Sequence, residues 1–329
     1  MGEVSPYVHR YYVERNQDLA TLHGVDGFLV AAFRNRGTTS GTIGQAAQEA
    51  GDGEILAGKV STATLLTEPK LRVNFFGRFE FSRDGEVVSL GRNARALAIV
   101  KYLLAHRTHP VPQDCLMGWL WPESEPKKAR WSLNSAICAL RKLLKVCLPS
   151  LSASETVLLE GGRYRLSPQV RFSADVDEFD SCYEKGCRLE DAGRVPEAVA
   201  EYEKAVGLYR GDYLIEDLYE DWTTVERQRL LDAYIDLLRR LATYYIEAGN
   251  LWDSVRICYR VLEKDRCDED AHRLLMECFA RLGKRARALR QYNLCEQALG
   301  HEYLTAPSSE TQALYKSILK QDCSGRSAS

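Results

Sequence analysis

Two stretches of the chain superpose at a fixed offset. LATYYIEAGNLWDSVRICYRVL begins at Leu241 and LMECFARLGKRARALRQYNLCE at Leu275, so Gly249 and Gly283 lie 34 residues apart, as do Tyr245 and Phe279. Thirty-four residues with a small residue at the turn is the period of the tetratricopeptide helix pair. A unit of that size cannot bury its own apolar face, so such units stack, and the region is committed to a layered helical array. Gly193, in LEDAGRVPEAVAEYEKAV, has the same role 56 residues before Gly249, so an insertion separates the first pair from the later ones. Pro196 falls near a helix start, where its missing N–H costs little. Residues 221–248 read as one long amphipathic helix with Leu230, Tyr234, Leu237, Leu238 and Leu241 inward. Tyr244, Tyr245, Trp252 and Tyr259 are assigned to the core of these repeats.

Upstream of Phe172 the pattern is different. LRVNFFGRFEFSRDGEVVSL, from Leu71, alternates apolar and polar residues, with Leu71, Val73, Phe75, Phe79, Phe81, Val87 and Leu90 on the apolar positions. Asp84-Gly85 marks a hairpin turn, so two or three short antiparallel strands are expected. Asn93–His106 reads as an amphipathic helix with Leu97, Val100, Leu103 and Leu104 inward, and the prolines of THPVPQ break it. A second, short helix is expected over Asp114–Trp121, and a third in WPESEPKKARWSLNSAICALRKLL, from Trp121. Strands at Thr156–Leu159 and Arg163–Ser167 follow, joined at Gly161-Gly162. The order is strands, three helices, hairpin.

Charge is distributed unevenly. Residues 70–171 hold 17 Lys and Arg against 8 Asp and Glu, whereas residues 172–329 hold 22 against 30 and residues 1–69 hold 5 against 8. A net +9 block between two acidic ones is the footprint of a nucleic-acid-binding module. No run of about 18 apolar residues exists, so no membrane-spanning segment is expected. Gly27–Phe33 is apolar but lacks the basic flank of a signal peptide. The ten cysteines include no CxxC pair and the six histidines are scattered, so reduced, mostly buried thiols are expected rather than a metal site. GEILAGK, Gly53–Lys59, meets half of a phosphate-loop pattern, but Val60 stands where Ser or Thr would hold magnesium. No cofactor and no enzymatic activity are expected.

The third helix carries the argument toward function. Ser124 can cap it, Pro126 suits its first turn, and Glu123 and Glu125 suit the positive end of its dipole. At 100° per residue Leu133, Ile137, Leu140 and Leu144 form one stripe, which is the core side. Opposite lie Lys128, Trp131, Ser135, Cys138 and Lys142; Lys127, Asn134, Arg141 and Lys145 fill a flank, and Arg130 borders the core stripe. A membrane-lying helix would not be embedded between a helix and a hairpin. Basic residues and Asn in the N-terminal half of a helix suit a DNA groove, and a following hairpin with GGRYR at its tip would supply a wing carrying Arg163.

These residues resemble a known family. LRVNFFGRFEF, LWPESEPKKARWSLNSAICALRKLL and GGRYRLS are similar to the response-regulator type of winged helix, and more narrowly to the SARP-type transcriptional activators. DVDEFD (Asp175–Asp180), GDYLIEDLYEDWTTVERQRL (Gly211–Leu230) and the Ser308–Leu319 stretch resemble the bacterial transcriptional activation domain of that family. The resemblance implies a mostly α fold with a small β component: a winged helix-turn-helix domain over 70–171, then an all-α tetratricopeptide-like domain over 172–321. Residues 1–69 are expected to be a poorly structured extension and 322–329 a disordered tail. It also implies a cytoplasmic, nucleoid-associated bacterial activator. Such a protein binds direct repeats in promoter DNA, engages RNA polymerase holoenzyme, and pairs as a homodimer on DNA. The family's recognition helix carries over onto Arg130, Trp131, Asn134 and Ser135 as base-facing positions and Lys127, Lys128 and Lys142 as phosphate contacts. Trp131 departs from the small polar residue common there. The alternative is a tetratricopeptide-type adaptor whose basic domain is structural.

Overall fold

The structure, a computed structural model, describes residues 71–89, 91 and 93–325, with side chains as far as 320. The expected N-terminal extension and the GEILAGK motif lie outside the described residues. The chain divides into two compact units, one over 91–170 and the other comprising 69–90 together with the chain from 171 onward. The boundary expected at residue 70 therefore moves. The first strands group with the helical unit, not with the winged helix, because their apolar ends are buried there.

In the helical unit, β1 (Leu71–Asn74), β2 (Glu80–Arg83) and β3 (Glu86–Val88) form an antiparallel meander, and β7 (Phe172–Ala174) joins it parallel to β1, giving the order β3-β2-β1-β7. Val87 does not follow the apolar alternation inward; it is exposed. Beyond β1, Phe75 and Phe76 are buried, and their backbone N–H groups donate to the two carboxylate oxygens of Asp175 at 2.8 and 2.9 Å. Phe76 packs against Phe179 and Tyr209, and Phe75 stacks on Tyr213, 5.5 Å between ring centroids. Gly77 donates its N–H to the Asp212 carbonyl, and Leu214 donates to the Phe75 carbonyl. The FFG and GDYL motifs, about 135 residues apart in sequence, are thus one contact.

Seven helices follow: α5 (Asp175–Asp191), α6 (Val195–Leu208), α7 (Asp221–Glu247), α8 (Leu251–Lys264), α9 (Glu269–Arg281), α10 (Arg285–Glu302) and α11 (Ser309–Gly325). The last helix runs past 321, where a tail was expected. Helices pack as neighbours in sequence: α5 with α6, α7 with α8, α8 with α9, α9 with α10. The turns at Gly193, Gly249 and Gly283 have φ of 72°, 80° and 69°. Each closes with the same bond from the residue after the glycine to a carbonyl five back: Arg194 to Leu189, Asn250 to Tyr245, Lys284 to Phe279. This is the helix-ending motif that needs a left-handed residue, so the periodic glycine is a backbone requirement. Tyr244 and Tyr245 are half-buried, but Trp252 and Tyr259 are 50% and 45% exposed and are not the core residues expected. Trp252 instead lies under the Lys284 ammonium.

The 91–170 unit contains α1 (Ala94–Ala105), β4 (Val111–Pro112), α2 (Gln113–Leu120), α3 (Pro126–Cys147), the single turn α4 (Ala153–Thr156), β5 (Val157–Glu160) and β6 (Arg163–Leu166), with sheet order β4-β6-β5. Asn93 caps α1, its side chain accepting from the Ala96 N–H. Ala96, Ile99, Val100, Leu103 and Leu104 are buried, while Leu97 is only half-buried, so the inner face is rotated slightly from the expected one. Ala129, Leu133, Ala136, Ile137, Leu140 and Leu144 of α3 fill the same core. Nine cysteines are free thiols, five of them buried. No group of acidic, His and Cys residues among the described ones is arranged to hold a metal.

Candidate nucleic-acid interface

The start of α3 departs from the usual electrostatics of a helix. Glu125, not Ser124, occupies the cap position, and no side chain caps the helix. Ser124 lies one residue ahead of the cap position, in a turn whose backbone bond runs from the Ser124 N–H to the Trp121 carbonyl. Pro126 takes the first helical position, as expected. No acid lies in the first turn; Lys127 and Lys128 are there instead, with Arg130 just after. Cations at a helix N-terminus oppose the dipole and cost stability. Residues 126–154 hold six Lys and Arg and no Asp or Glu. A positive helix end with added cations is a place where an anion is stabilised.

Lys127, Lys128, Arg130, Trp131, Asn134, Ser135 and Lys142 are all exposed. Lys128, Trp131, Ser135, Cys138 and Lys142 follow steps of three and four residues, so they make one stripe along the helix, opposite the buried leucines. Lys127, Lys128, Arg130, Lys142 and Arg163 form no ion pair within the described residues. The two basic residues of α3 left out of the candidate set are committed elsewhere. Arg141 donates to the Val157 carbonyl at 2.7 Å, tying the helix to β5, and Lys145 donates to the carbonyls of Pro149 and Leu151. The cations therefore sort into structural ones near the C-terminal half and unpartnered ones mostly near the N-terminal half.

The hairpin turn is Gly161-Gly162, with φ of 55° and 75°, the two left-handed residues of a tight turn that matches strand twist. Tyr164 is buried against α3, and its hydroxyl donates to Asn134 Oδ1 at 3.4 Å. Burial pushes the Tyr164 phenol up, against the opposing pull of Arg141 and Arg130. With Asn134 Oδ1 turned to Tyr164, the amide nitrogen is the end left to donate outward. Arg163 is exposed and, one residue before Tyr164, projects from the other face of the hairpin. It lies by α2, close enough to Cys115 to offset part of the upward push that burial and Asp114 give that thiol. The structure thus carries seven candidates on α3 and the eighth, Arg163, on the hairpin beside α2. The Tyr164–Asn134 contact was missed from sequence, although GGRYR placed a tyrosine at the right strand position.

Comparison with known proteins agrees with this architecture. A family model described as the bacterial transcriptional activator domain matches residues 174–319. The transcriptional regulatory protein MoaR1 of Mycobacterium tuberculosis is 25% identical over 275 residues, covering 78% of this chain and 81% of that protein. The regulatory protein DnrI of Streptomyces peucetius is 24% identical over 256 residues, covering 77% and 93%. The solved structure of Mycobacterium tuberculosis EmbR, in complex with a low-affinity phosphopeptide, superposes with a TM-score of 0.65 at 24% identity, over 77% of this chain and 66% of EmbR. The chain is a transcriptional regulator built from a winged-helix unit and a helical-repeat unit. It resembles the SARP-type regulators, and residues 174–319 match the bacterial transcriptional activator domain.

Proposed function

We propose that α3 enters the major groove of promoter DNA carrying a short direct repeat, and that the helical unit engages RNA polymerase holoenzyme so that binding activates transcription. Arg130, Trp131, Asn134 and Ser135 face base edges, and Lys127, Lys128 and Lys142 face phosphates. Arg163 reaches a phosphate from the hairpin. Two copies sit side by side on the repeat. The protein works in the bacterial cytoplasm at the nucleoid and catalyses no reaction; among the described residues no helix is long and apolar enough to cross a membrane. The observation that carries the reading is the exposed, unpaired basic cluster at the N-terminal end of α3, in a stretch without a single acid.

Selection of fragmented genomic DNA by the full-length protein tests it at two salt concentrations. A few sites sharing a direct repeat, retained at moderate salt, are expected. Asn134→Ala should relax preference at one position of each half-site by about 1–3 kcal/mol. Lys128→Ala with Lys142→Ala should weaken binding to every sequence and flatten the salt dependence by about two phosphate contacts. Uniform retention that vanishes with salt would leave only a basic surface and favour the adaptor.

A further inference from the structure

Trp131 is 74% exposed, the most exposed tryptophan among the described residues. Its indole meets no other ring, cation or hydrogen-bond partner there. The fold gains nothing from it, since the apolar stripe of α3 is complete without it in Leu133, Ile137, Leu140 and Leu144. It stands in the N-terminal half of the polar stripe, one turn after Lys127 and Lys128 and one turn before Asn134 and Ser135. An apolar ring ringed by phosphate-seeking and base-seeking groups needs an apolar surface in the groove. The major groove offers one such surface on a base edge, the 5-methyl group of thymine. A membrane is a poorer match, because the apolar face of this helix is already buried in protein.

We propose that Trp131 is a specificity-determining residue that packs its indole on a thymine methyl group in each half-site. This rests on the reading of α3 as the groove-entering helix. Lys127 and Lys128 hold the helix end on the backbone and Asn134 fixes the register, so the ring is delivered to one base step. Discrimination is then for thymine over cytosine and over uracil, at a position where no hydrogen bond is made.

The test uses the operator recovered by genomic selection, with each thymine replaced in turn by uracil. This removes one methyl group and leaves pairing unchanged. The full-length wild-type chain is expected to lose about three- to fivefold in affinity at one thymine per half-site, the effect of one buried methyl-sized group. Trp131→Ala should bind the thymine and uracil operators equally and keep the wild-type salt dependence, and Trp131→Phe should keep part of the preference. If no uracil replacement weakens the wild type, or if Trp131→Ala shows the same uracil penalty, the proposal is overturned while the groove reading stands. If selection recovers no operator, that reading fails and the proposal with it.

Discussion

Arg227 holds together the loop between α6 and α7. It donates to the carbonyls of Tyr213 at 2.9 Å and Asp217 at 3.0 Å and to the Thr223 hydroxyl at 2.7 Å. Leu214, held at a φ of 46°, lies inside that loop. Arg227→Met keeps the aliphatic stem and removes the donors that tie the loop carbonyls to α7. It should destabilise the helical unit by about 2–3 kcal/mol in urea unfolding followed by circular dichroism. A change within about 0.5 kcal/mol would show the loop to be self-supporting. Glu201 is the second residue of this kind. Lys185 and Lys204 both donate to its Oε1 at 2.8 Å, and these bonds pull its carboxyl down to about 2. Because the folded value lies below the usual 4.5, its contribution is complete above about pH 4.5 and fades as pH falls toward 2. Carboxyl-carbon NMR should place its midpoint there, and Lys185→Met with Lys204→Met should return it to the ordinary range. An unmoved midpoint would reject the pairing. Neither role is fully legible in sequence: the Lys204 and Thr223 contacts lie at helical spacing, but the Lys185 ammonium and the loop carbonyls are brought in by packing between elements. The face of α3 was legible, because helical periodicity alone places Lys128, Trp131 and Ser135 opposite Leu133, Ile137 and Leu140.

At the scale of elements, Gly186 shows why a local rule misleads. A glycine in the middle of a helix normally costs about 1 kcal/mol against alanine, so replacing it should help. Here a Cβ would stand 2.5 Å from Tyr202 Cδ1, with Cε1 closer still. Tyr202 is fully buried on α6, and its hydroxyl donates to Glu190 at 2.6 Å. Moving that ring costs more than the helix gains. Gly186→Ala should lose about 2–3 kcal/mol, measured by thermal unfolding, and a stabilised variant would mean that α5 and α6 separate easily. Legibility divides here along the same line. The 34-residue turns were readable, because a left-handed residue at each helix end is a local demand. The close pairing of α5 and α6 was not, because the glycine that permits it looks like any other. The capping of α3 was misread because Ser124 has the right chemistry for a cap but the helix starts one residue too late for it, with Glu125 at the cap position.

For the whole molecule, the two units do not follow the order of the sequence: residues on both sides of 91–170 make up one of them. The strands of 71–88 read as the opening of the winged helix, since alternation reveals a sheet but not what covers it. They belong with the helices, where Asp175, Phe179, Tyr209 and Tyr213 receive Phe75 and Phe76. A fragment beginning at Phe172 should therefore expose those rings, bind a hydrophobic dye, and unfold at a markedly lower temperature than the same helices in the full chain. Equal melting of the two would show that the first sheet is dispensable to the helical unit.

The parallel pairing of β1 with β7 sets Leu71 beside Phe172, with the winged-helix residues threaded between the two strands. During synthesis β1 leaves the ribosome about a hundred residues before its partner strand, which at ordinary elongation rates is roughly 5–20 s. The 91–170 unit emerges throughout that interval and is complete only at its close, while the β1 meander waits with one edge and its phenylalanines uncovered. The nascent chain is then most open to aggregation and most dependent on a holding chaperone.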